Sequence, residues 1–405
     1  MTITVQDIRD AQHRLKQTNI VRRTSLQSNQ SLSEMTQADI VLKMEHLQRT
    51  GSFKPRGAYN KLHKIKESDR VESVIAASAG NHAQGVALAA AEIGLDATIV
   101  MPKDAPQTKI SATQKHGAEV KLHGSTFGEA ESRALDLSET SDKAFIPAYD
   151  DPDIIAGQGT IGLEINNQRE DIDTVIVPIG GGGLISGIAV ALKDLNPNIR
   201  VVGVQAEGAA TVPQSLQKGI PQTLESPDTI ADGIATGAIS ELTLELITNH
   251  VDEIVTVDDN QISNSILVLL EQTKQLVEGA GAAPIAALLS NELDVRNETV
   301  VPILSGGNID ISMLQTVLTQ AMADRNQMIE LRVRINDTPG KMAEISDCIA
   351  TEEGNIRTVR HERGIKDLDV GEAFLVFEIE TGGEEHAEAI KNRIETIGYE
   401  VNQLN

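Results

Sequence analysis

Four consecutive glycines, Gly180, Gly181, Gly182 and Gly183, stand between the apolar run DTVIVPI (173–179) and the segment LISGIAVALKDL. The run has the length and β-branched content of a buried strand, and the segment that follows repeats apolar residues at helical spacing. Four glycines lose extra backbone entropy on ordering, on the order of 0.5–1 kcal/mol each relative to Ala. At a strand-to-helix junction that loss has a use. Successive N–H groups and the helix N-terminus can face one anion, and only residues without Cβ let the backbone come so close. A dinucleotide fingerprint is excluded, because the sixth position counted from Gly180 or Gly181 is Ile185 or Ser186. A Walker A loop is excluded too: Gly182 and Gly187 have its spacing, but Ile188 stands where the lysine must be. A phosphate monoester on a bound cofactor remains.

The same alternation runs through most of the chain. VESVIAAS (71–78), DATIVMP (96–102), AEVKLHG (118–124) and RVVGVQAEG (200–208) are further strands, and HAQGVALAAAEIG and TKISATQKHG are helices between them. Strands separated by helices imply right-handed crossovers and parallel sheets covered on both faces. Gly94 is a natural stop for the first of these helices. Beyond MADRNQ, which has the look of a connector, the rhythm changes. IELRVRI, NIRTVRHE, EAFLVFEIE and YEVNQL alternate as strands, with helices over KMAEISDCIATEEG and Glu384 to Ile397. Thr338 is placed to cap the former, with Pro339 at its first position. Strand–helix–strand–strand–helix–strand is a ferredoxin-like sandwich.

A formal charge of −24 argues against nucleic acid or an anionic membrane as partner. The acids are spread through stretches such as ESDRVES and REDIDT, so they describe a solvated surface suited to high salt, and no disordered tail. The one cysteine, Cys348, permits no internal disulfide. MTITVQDIRDAQHRLK lacks the apolar core of a signal peptide, and the longest uncharged run, Thr174 to Leu192, is broken by Pro178 and glycines. A cytoplasmic protein is expected.

Three more segments carry chemistry. GSFKPRGAY (51–59) sets Lys54 between Phe53 and Pro55, away from acids in the chain. A lysine in an apolar pocket near phosphate becomes a nucleophile once its pKa falls, and forms a Schiff base with an aldehyde. An ordinary surface lysine is the plain alternative. ASAGNHAQG (77–85) is a strand-to-helix turn able to hold a carboxylate; otherwise it is a helix start capped by Ser78 or Asn81, with His82 exposed. LSGGNID (304–310) is a polar turn after VVPIL.

Taken together and in this order, SFKPRGAY, SAGNHAQG, the glycine run and SGGNID resemble the fold-type II pyridoxal-5′-phosphate (PLP) enzymes, and within them the threonine dehydratase branch, over residues 1 to 320. INDTPGKMAEISDCIATEEGNI resembles an ACT domain over residues 328 to 405. The resemblance implies an α/β catalytic region of two parallel open sheets, with a smaller part at about 48–147 inserted into a larger part, 1–47 and 148–320. A linker at 321–327 and the ferredoxin-like ACT domain follow.

The resemblance also assigns roles. Lys54 is joined to the cofactor's aldehyde, Phe53 lies against the pyridine ring, Asn81 meets the 3′-oxygen, Gly180 to Gly183 bind the phosphate, and Ser305 faces the pyridine nitrogen. Ser78, Ala79, Gly80, Asn81 and His82 take the substrate carboxylate. The implied activity is deamination of L-threonine to 2-oxobutanoate and ammonia, with L-serine as a second substrate, at the entry to isoleucine biosynthesis. Serine racemase shares nearly all these motifs but needs an acid–base serine where this chain has Ala79. Its metal site is compromised here by Gln205 and Thr211, so no metal is expected. Threonine synthase and cysteine synthase fit the motif wording less well, and an amino-acid sensor without chemistry is a further alternative. For the ACT-like segment, Asn336, Gly340, Gly354 and Asn355 are candidate contacts for an isoleucine or valine effector bound between paired copies, in a homodimer or homotetramer.

Overall fold

A computed structural model describes residues 3–68, 71–290, 292–366 and 368–404, so Asp69 and Arg70 of ESDRVES lie outside the described residues. Its contacts divide the chain into two units, 1–310 and 311–405.

The first unit contains two sheets. β1 (Leu26–Ser28), β2 (Asp39–Lys43), β7 (Thr174–Pro178), β8 (Arg200–Ala206), β9 (Glu253–Val257) and β10 (Thr299–Pro302) form a six-stranded sheet in the order β1-β2-β10-β7-β8-β9. Only β1 runs antiparallel to its neighbour. Between β2 and β7 the chain builds a separate parallel sheet, order β5-β4-β3-β6, from β3 (Ser73–Ala77), β4 (Asp96–Met101), β5 (Glu119–Leu122) and β6 (Lys143–Phe145). The aliphatic runs identified in the sequence are buried: Val175, Ile176 and Val177 of β7 are inaccessible, as are Val74, Ile75 and Ala76 of β3. Gly94 ends the helix Asn81–Ile93 in the left-handed conformation, φ +75°.

Four charged side chains are buried in this unit as a neutral group. Arg56 Nε and Nη2 donate to the two oxygens of Glu45, both at 2.8 Å, and Nη1 donates to Glu164 Oε1 at 2.7 Å. Lys43 Nζ donates to Glu164 Oε2 at 2.7 Å and to the Thr24 carbonyl at 2.9 Å. Buried charges survive only when paired in this way. Burial alone would raise the Glu45 carboxyl, but the Arg56 guanidinium outweighs it and holds the group below its usual range. The group ties the helix Pro55–Glu67 to β2 and to the helix Pro152–Gln168.

In the second unit β11 (Met328–Asn336), β12 (Asn355–Glu362), β13 (Glu372–Glu380) and β14 (Glu400–Gln403) form an antiparallel sheet, order β12-β13-β11-β14, with helices Lys341–Thr351 and Glu384–Thr396. This order fits the ferredoxin-like pattern. Leu331, Val333, Leu375 and Phe377 meet Ile345, Ile349 and Ile390 in its core. Two local expectations change. Residues 321–324 are no connector, because a helix runs over Ile311–Asp324 with Val317 and Ala321 buried; nothing in MLQTVLTQAMAD breaks a helix. Thr338 caps nothing: Gly340, at φ +95°, precedes the helix starting at Lys341, and the Thr338 hydroxyl turns back to the Asn336 carbonyl. The left-handed residue after Pro339 delays the helix by a few positions.

Candidate active site

Three strands deliver their C-terminal ends to one cleft, the position where open α/β sheets bind ligands. β3 leads into Ser78, β7 into Gly180 and β10 into Ser305. Lys54 joins them by the bridge between Ser52 and Gly306 and by the Phe53 N–H bond to the Ser305 carbonyl, 3.1 Å. Lys54 itself precedes the helix Pro55–Glu67, whose first residue is proline. Its Nζ donates to the Ala148 carbonyl at 3.1 Å and lies 5.2 Å from the Phe53 ring centre. Burial pushes the amine down to about 8, against the upward pull of Glu278. Lysine 54 is thus not isolated from acids: Glu278, distant in sequence, shares its cleft. Packing is close on its backbone side, where a Cβ at Gly85 would come within 3.0 Å of Lys54 Cβ.

The 78–82 turn departs from the reading of an ordinary capped helix start. Neither Ser78 nor Asn81 caps the helix; Gly80 occupies the cap position and no side chain satisfies the first turn. The Ser78 hydroxyl instead accepts from the Gly80 N–H at 3.1 Å. Ala79, Gly80 and Asn81 are half-buried, and the space a Gly80 Cβ would enter is open. His82 is not exposed. It is 4% accessible, and its Nε2 lies 2.9 Å from the Ile146 carbonyl. Since a carbonyl only accepts, Nε2 carries the proton. Burial, and then the charge of Lys54, lowers His82 to about 3, so the ring is neutral near pH 7.

The four glycines turn out to have packing reasons of their own. A Cβ at Gly181 would fall 2.2 Å from the Tyr149 ring, one at Gly183 would fall 3.0 Å from Tyr149 Cβ, and one at Gly180 would fall 2.8 Å from Thr236 Oγ1. Gly182 adopts φ +89° and would meet Thr243. Crowding by Tyr149 and Thr243 therefore accounts for part of the run. An anion site fits the remainder: the helix Gly183–Leu195 starts with no side-chain cap, and the Ser186 hydroxyl in its first turn is buried with no partner among the described residues.

The segment 233–236 connects the glycine run to the lysine side of the cleft. The place of a Gly180 Cβ is 3.1 Å from Ile234 Cα, and that of a Gly233 Cβ is 3.6 Å from Glu278 Oε1 and 4.0 Å from Asn81 Nδ2. Ser305 is 3% accessible. Asn81 Nδ2 donates to Glu278 Oε1 at 2.7 Å, and Asn81 Oδ1 accepts from Asn308 Nδ2 at 2.7 Å. Glu278, Asn308 as a partner of Asn81, and Tyr149 were missed in the sequence. Glu278 had one signal: it is the single acid in VEGAGAAPIAALL, an otherwise apolar and small-residue stretch.

Elsewhere, Gln205 satisfies itself locally, accepting from the Val212 N–H at 2.8 Å and donating to the Ala209 carbonyl at 3.3 Å. Among the described residues no three His, Cys, Asp or Glu side chains cluster as metal ligands. In the second unit the four candidate effector contacts fall apart into two pairs. Asn336 ends β11 opposite Glu372, and Gly340 follows it. Asn355 pairs with Glu380, which pairs with Met328 at the other end of β11, about 26 Å away at the usual strand rise. Gly354 has a packing reason, since a Cβ there would lie 2.8 Å from Ile349 and Ile390.

A family model described as pyridoxal-phosphate dependent enzyme matches residues 17–306. The L-threonine ammonia-lyase of Thermotoga maritima is 46% identical over 399 residues, 98% of this chain and 99% of that protein. Among solved structures, the processed form of threonine deaminase isoform 2 from Solanum lycopersicum superposes with a TM-score of 0.75 at 40% identity, covering 78% of this chain and 88% of its own. Maize serine racemase gives 0.74 at 34% identity, covering 80% and 100%.

Proposed function

Because the chain belongs to the pyridoxal-phosphate dependent enzyme family, we propose that it deaminates L-threonine to 2-oxobutanoate and ammonia, with Lys54 as the cofactor lysine. PLP, when bound, supplies the electron sink for the charge left at Cα. The remaining work belongs to the protein. Gly180 to Gly183 and the uncapped helix start hold the phosphate, Phe53 packs on the ring, Ser305 offers a neutral partner to the ring nitrogen, and Asn81 meets the ring oxygen. The open turn 78–81 presents backbone N–H groups to the substrate carboxylate; His82, facing inward, contributes its backbone alone. Lys54, desolvated and with its amine free, would take the Cα proton as general base.

The observation that carries this reading is the Lys54 amine, lowered to about 8 in the same cleft as the glycine loop. Fold likeness alone does not separate deaminase from racemase, since both solved relatives superpose almost equally. Ala79 does: it offers no acid–base group on the opposite face of the substrate. L-Serine differs by one methyl, which contributes only about 1–3 kcal/mol of discrimination, so it should react as well. A coupled assay for 2-oxobutanoate from L-threonine, with L-serine beside it, is the test. A purified chain that binds PLP and yields no oxoacid from threonine overturns the reading.

The second unit is proposed to act as an ACT-type regulatory module for isoleucine or valine, which would place the reaction at the head of isoleucine formation. Sheet order and the turns at 336–340 and 354–355 support this. Calorimetry with both amino acids tests it; no heat and no change in activity would defeat it. The assembly is proposed to be a homodimer or homotetramer working in the cytoplasm. Among the described residues no helix is long and apolar enough to cross a membrane. The charge of −24 suits a salt-rich medium, so activity and melting temperature should rise with KCl.

A further inference from the structure

Asn81 is gripped at both ends of its amide. Asn308 Nδ2 donates to the Thr50 carbonyl at 2.6 Å and to Asn81 Oδ1 at 2.7 Å. A carbonyl can only accept, so the Asn308 atom facing Thr50 is its NH₂ group. That same nitrogen faces Asn81, which must therefore present its oxygen there and its own NH₂ group to Glu278 Oε1, 2.7 Å away. A carboxyl oxygen accepts in either protonation state, so the direction of the chain is set without knowing where the Glu278 proton is. Among the described residues no acceptor engages the second N–H of Asn81, which leaves it for a ligand in the cleft.

Glu278 is built into this position. It is 9% accessible and precedes the buried helix Gly279–Leu289, and its own N–H donates to the Gly306 carbonyl at 3.1 Å. A Cβ on Gly306 would fall 1.9 Å from Glu278 Oε1 and 3.2 Å from Asn81 Nδ2, so that glycine clears the space the carboxyl fills. The groups facing the carboxyl are Asn81 Nδ2 and the Asn308 N–H, with the charges of Lys109, Asp232 and Lys54 at longer range. Lys109 is already engaged with Asp232 at 3.0 Å and Asp310 at 3.4 Å. Among the described residues no cation forms an ion pair with Glu278. A buried acid without a counter-ion is hard to maintain, and burial pushes this one up to about 7.

We propose that Glu278 is a positioning residue for the cofactor: it locks Asn81 with one N–H offered to the ring oxygen, and its proton occupancy sets the charge beside that oxygen. The inference rests on the reading of Lys54 as the cofactor lysine. An ionised Glu278 places a negative charge near an electron-rich oxygen, whereas the protonated acid does not. Affinity for PLP should therefore weaken as pH rises through about 7, in a limb that belongs to this carboxyl.

Equilibrium dialysis of the full-length apo chain against PLP across neutral pH decides the matter, with circular dichroism melts to confirm folding. Glu278→Gln keeps an acceptor for Asn81 but does not titrate; it is expected to bind PLP well and to lose the limb. Glu278→Leu removes the acceptor and is expected to lose affinity roughly tenfold or more. A limb that persists in the glutamine variant overturns the proposal, as does a leucine variant that binds as tightly as wild type. If the leucine variant does not fold, the glutamine variant decides alone. Wild-type protein that binds no PLP overturns the Lys54 reading and this inference with it; wild-type binding with both variants unchanged overturns this inference only.

Discussion

Residues 3–310 carry charge in their interior, whereas the described charged side chains of residues 311–404 stay at least partly exposed on their sheet and helices. In the larger unit Lys43, Glu45, Arg56 and Glu164 are buried together, and Glu278 is buried with no ion pair among the described residues. In the smaller unit no described polar or charged side chain is buried. Several of its arginines lie across the sheet: Arg334 pairs with Glu372 at 2.5 Å, Arg357 with Glu380 at 2.9 Å, and Arg332 with Glu362 at 3.3 Å while covering the Phe374 ring at 3.8 Å. Such pairs shield an apolar sheet while staying partly in water, although Arg332 Nε is buried with no hydrogen-bond partner among the described residues. Ions in low dielectric persist only where partners or packing hold them, and the larger unit supplies both. Within the larger unit the contrast sharpens to two residues. Arg56 is fully neutralised and holds a helix in place; Lys54, at the start of the same helix, is left unpaired, and burial lowers its pKa.

Substitutions should separate these kinds of charge. Lys54→Ala is expected to lower threonine turnover by roughly 10³-fold or more while the protein melts as before; retained turnover would erase the distinction between the two cations. Arg56→Met removes the ion partner of Glu45 in the interior, while Glu164 keeps Lys43, and should cost about 3–5 kcal/mol in urea unfolding. A loss below the scatter of the measurement would show that the quadruplet relaxes into water. The free amine of Lys54 dominates only above pH 8, and that form is the one that attacks an aldehyde. PLP uptake by the apo chain should therefore quicken by about tenfold between pH 7 and 9, and a flat profile would mean the amine is not desolvated. The smallest effect is expected for Arg334→Met on the sheet face, whose urea midpoint should hardly move; a large shift there would make the two units alike.

Much of this was legible beforehand. Strands and helices follow from period and length, as β7 and the helix Gly183–Leu195 illustrate, because burial on both faces leaves long aliphatic runs with sharp glycine ends. The helix start at Lys341 was misplaced since a left-handed Gly340 competes with the Thr-Pro cap signal, and pattern alone does not rank them. Lys54, Asn81, Ser305 and the glycines announce themselves through local motifs. Glu278, Asn308 and Tyr149 act on parts of the chain far from themselves: Glu278 lies 197 residues from Asn81, Asn308 lies 227 from it, and Tyr149 crowds the glycine run from another segment of chain. A carboxylate acquires its meaning only when folding sets it beside an amide, with no described cation close enough to form an ion pair. The glycine run teaches the same lesson in reverse, since Tyr149 supplies a reason for it that no motif contained.

The length of β11 limits what the smaller unit can grip. An amino acid spans well under the distance from Asn336 to Asn355, so no single molecule reaches both turns of one copy. A ligand touching both kinds of turn must be shared by neighbouring chains, and its saturation curve should then depend on how concentrated the protein is. Titrations at several dilutions would expose this: half-saturation drifting upward as the solution thins means a joint seat, and a constant value means each turn works by itself.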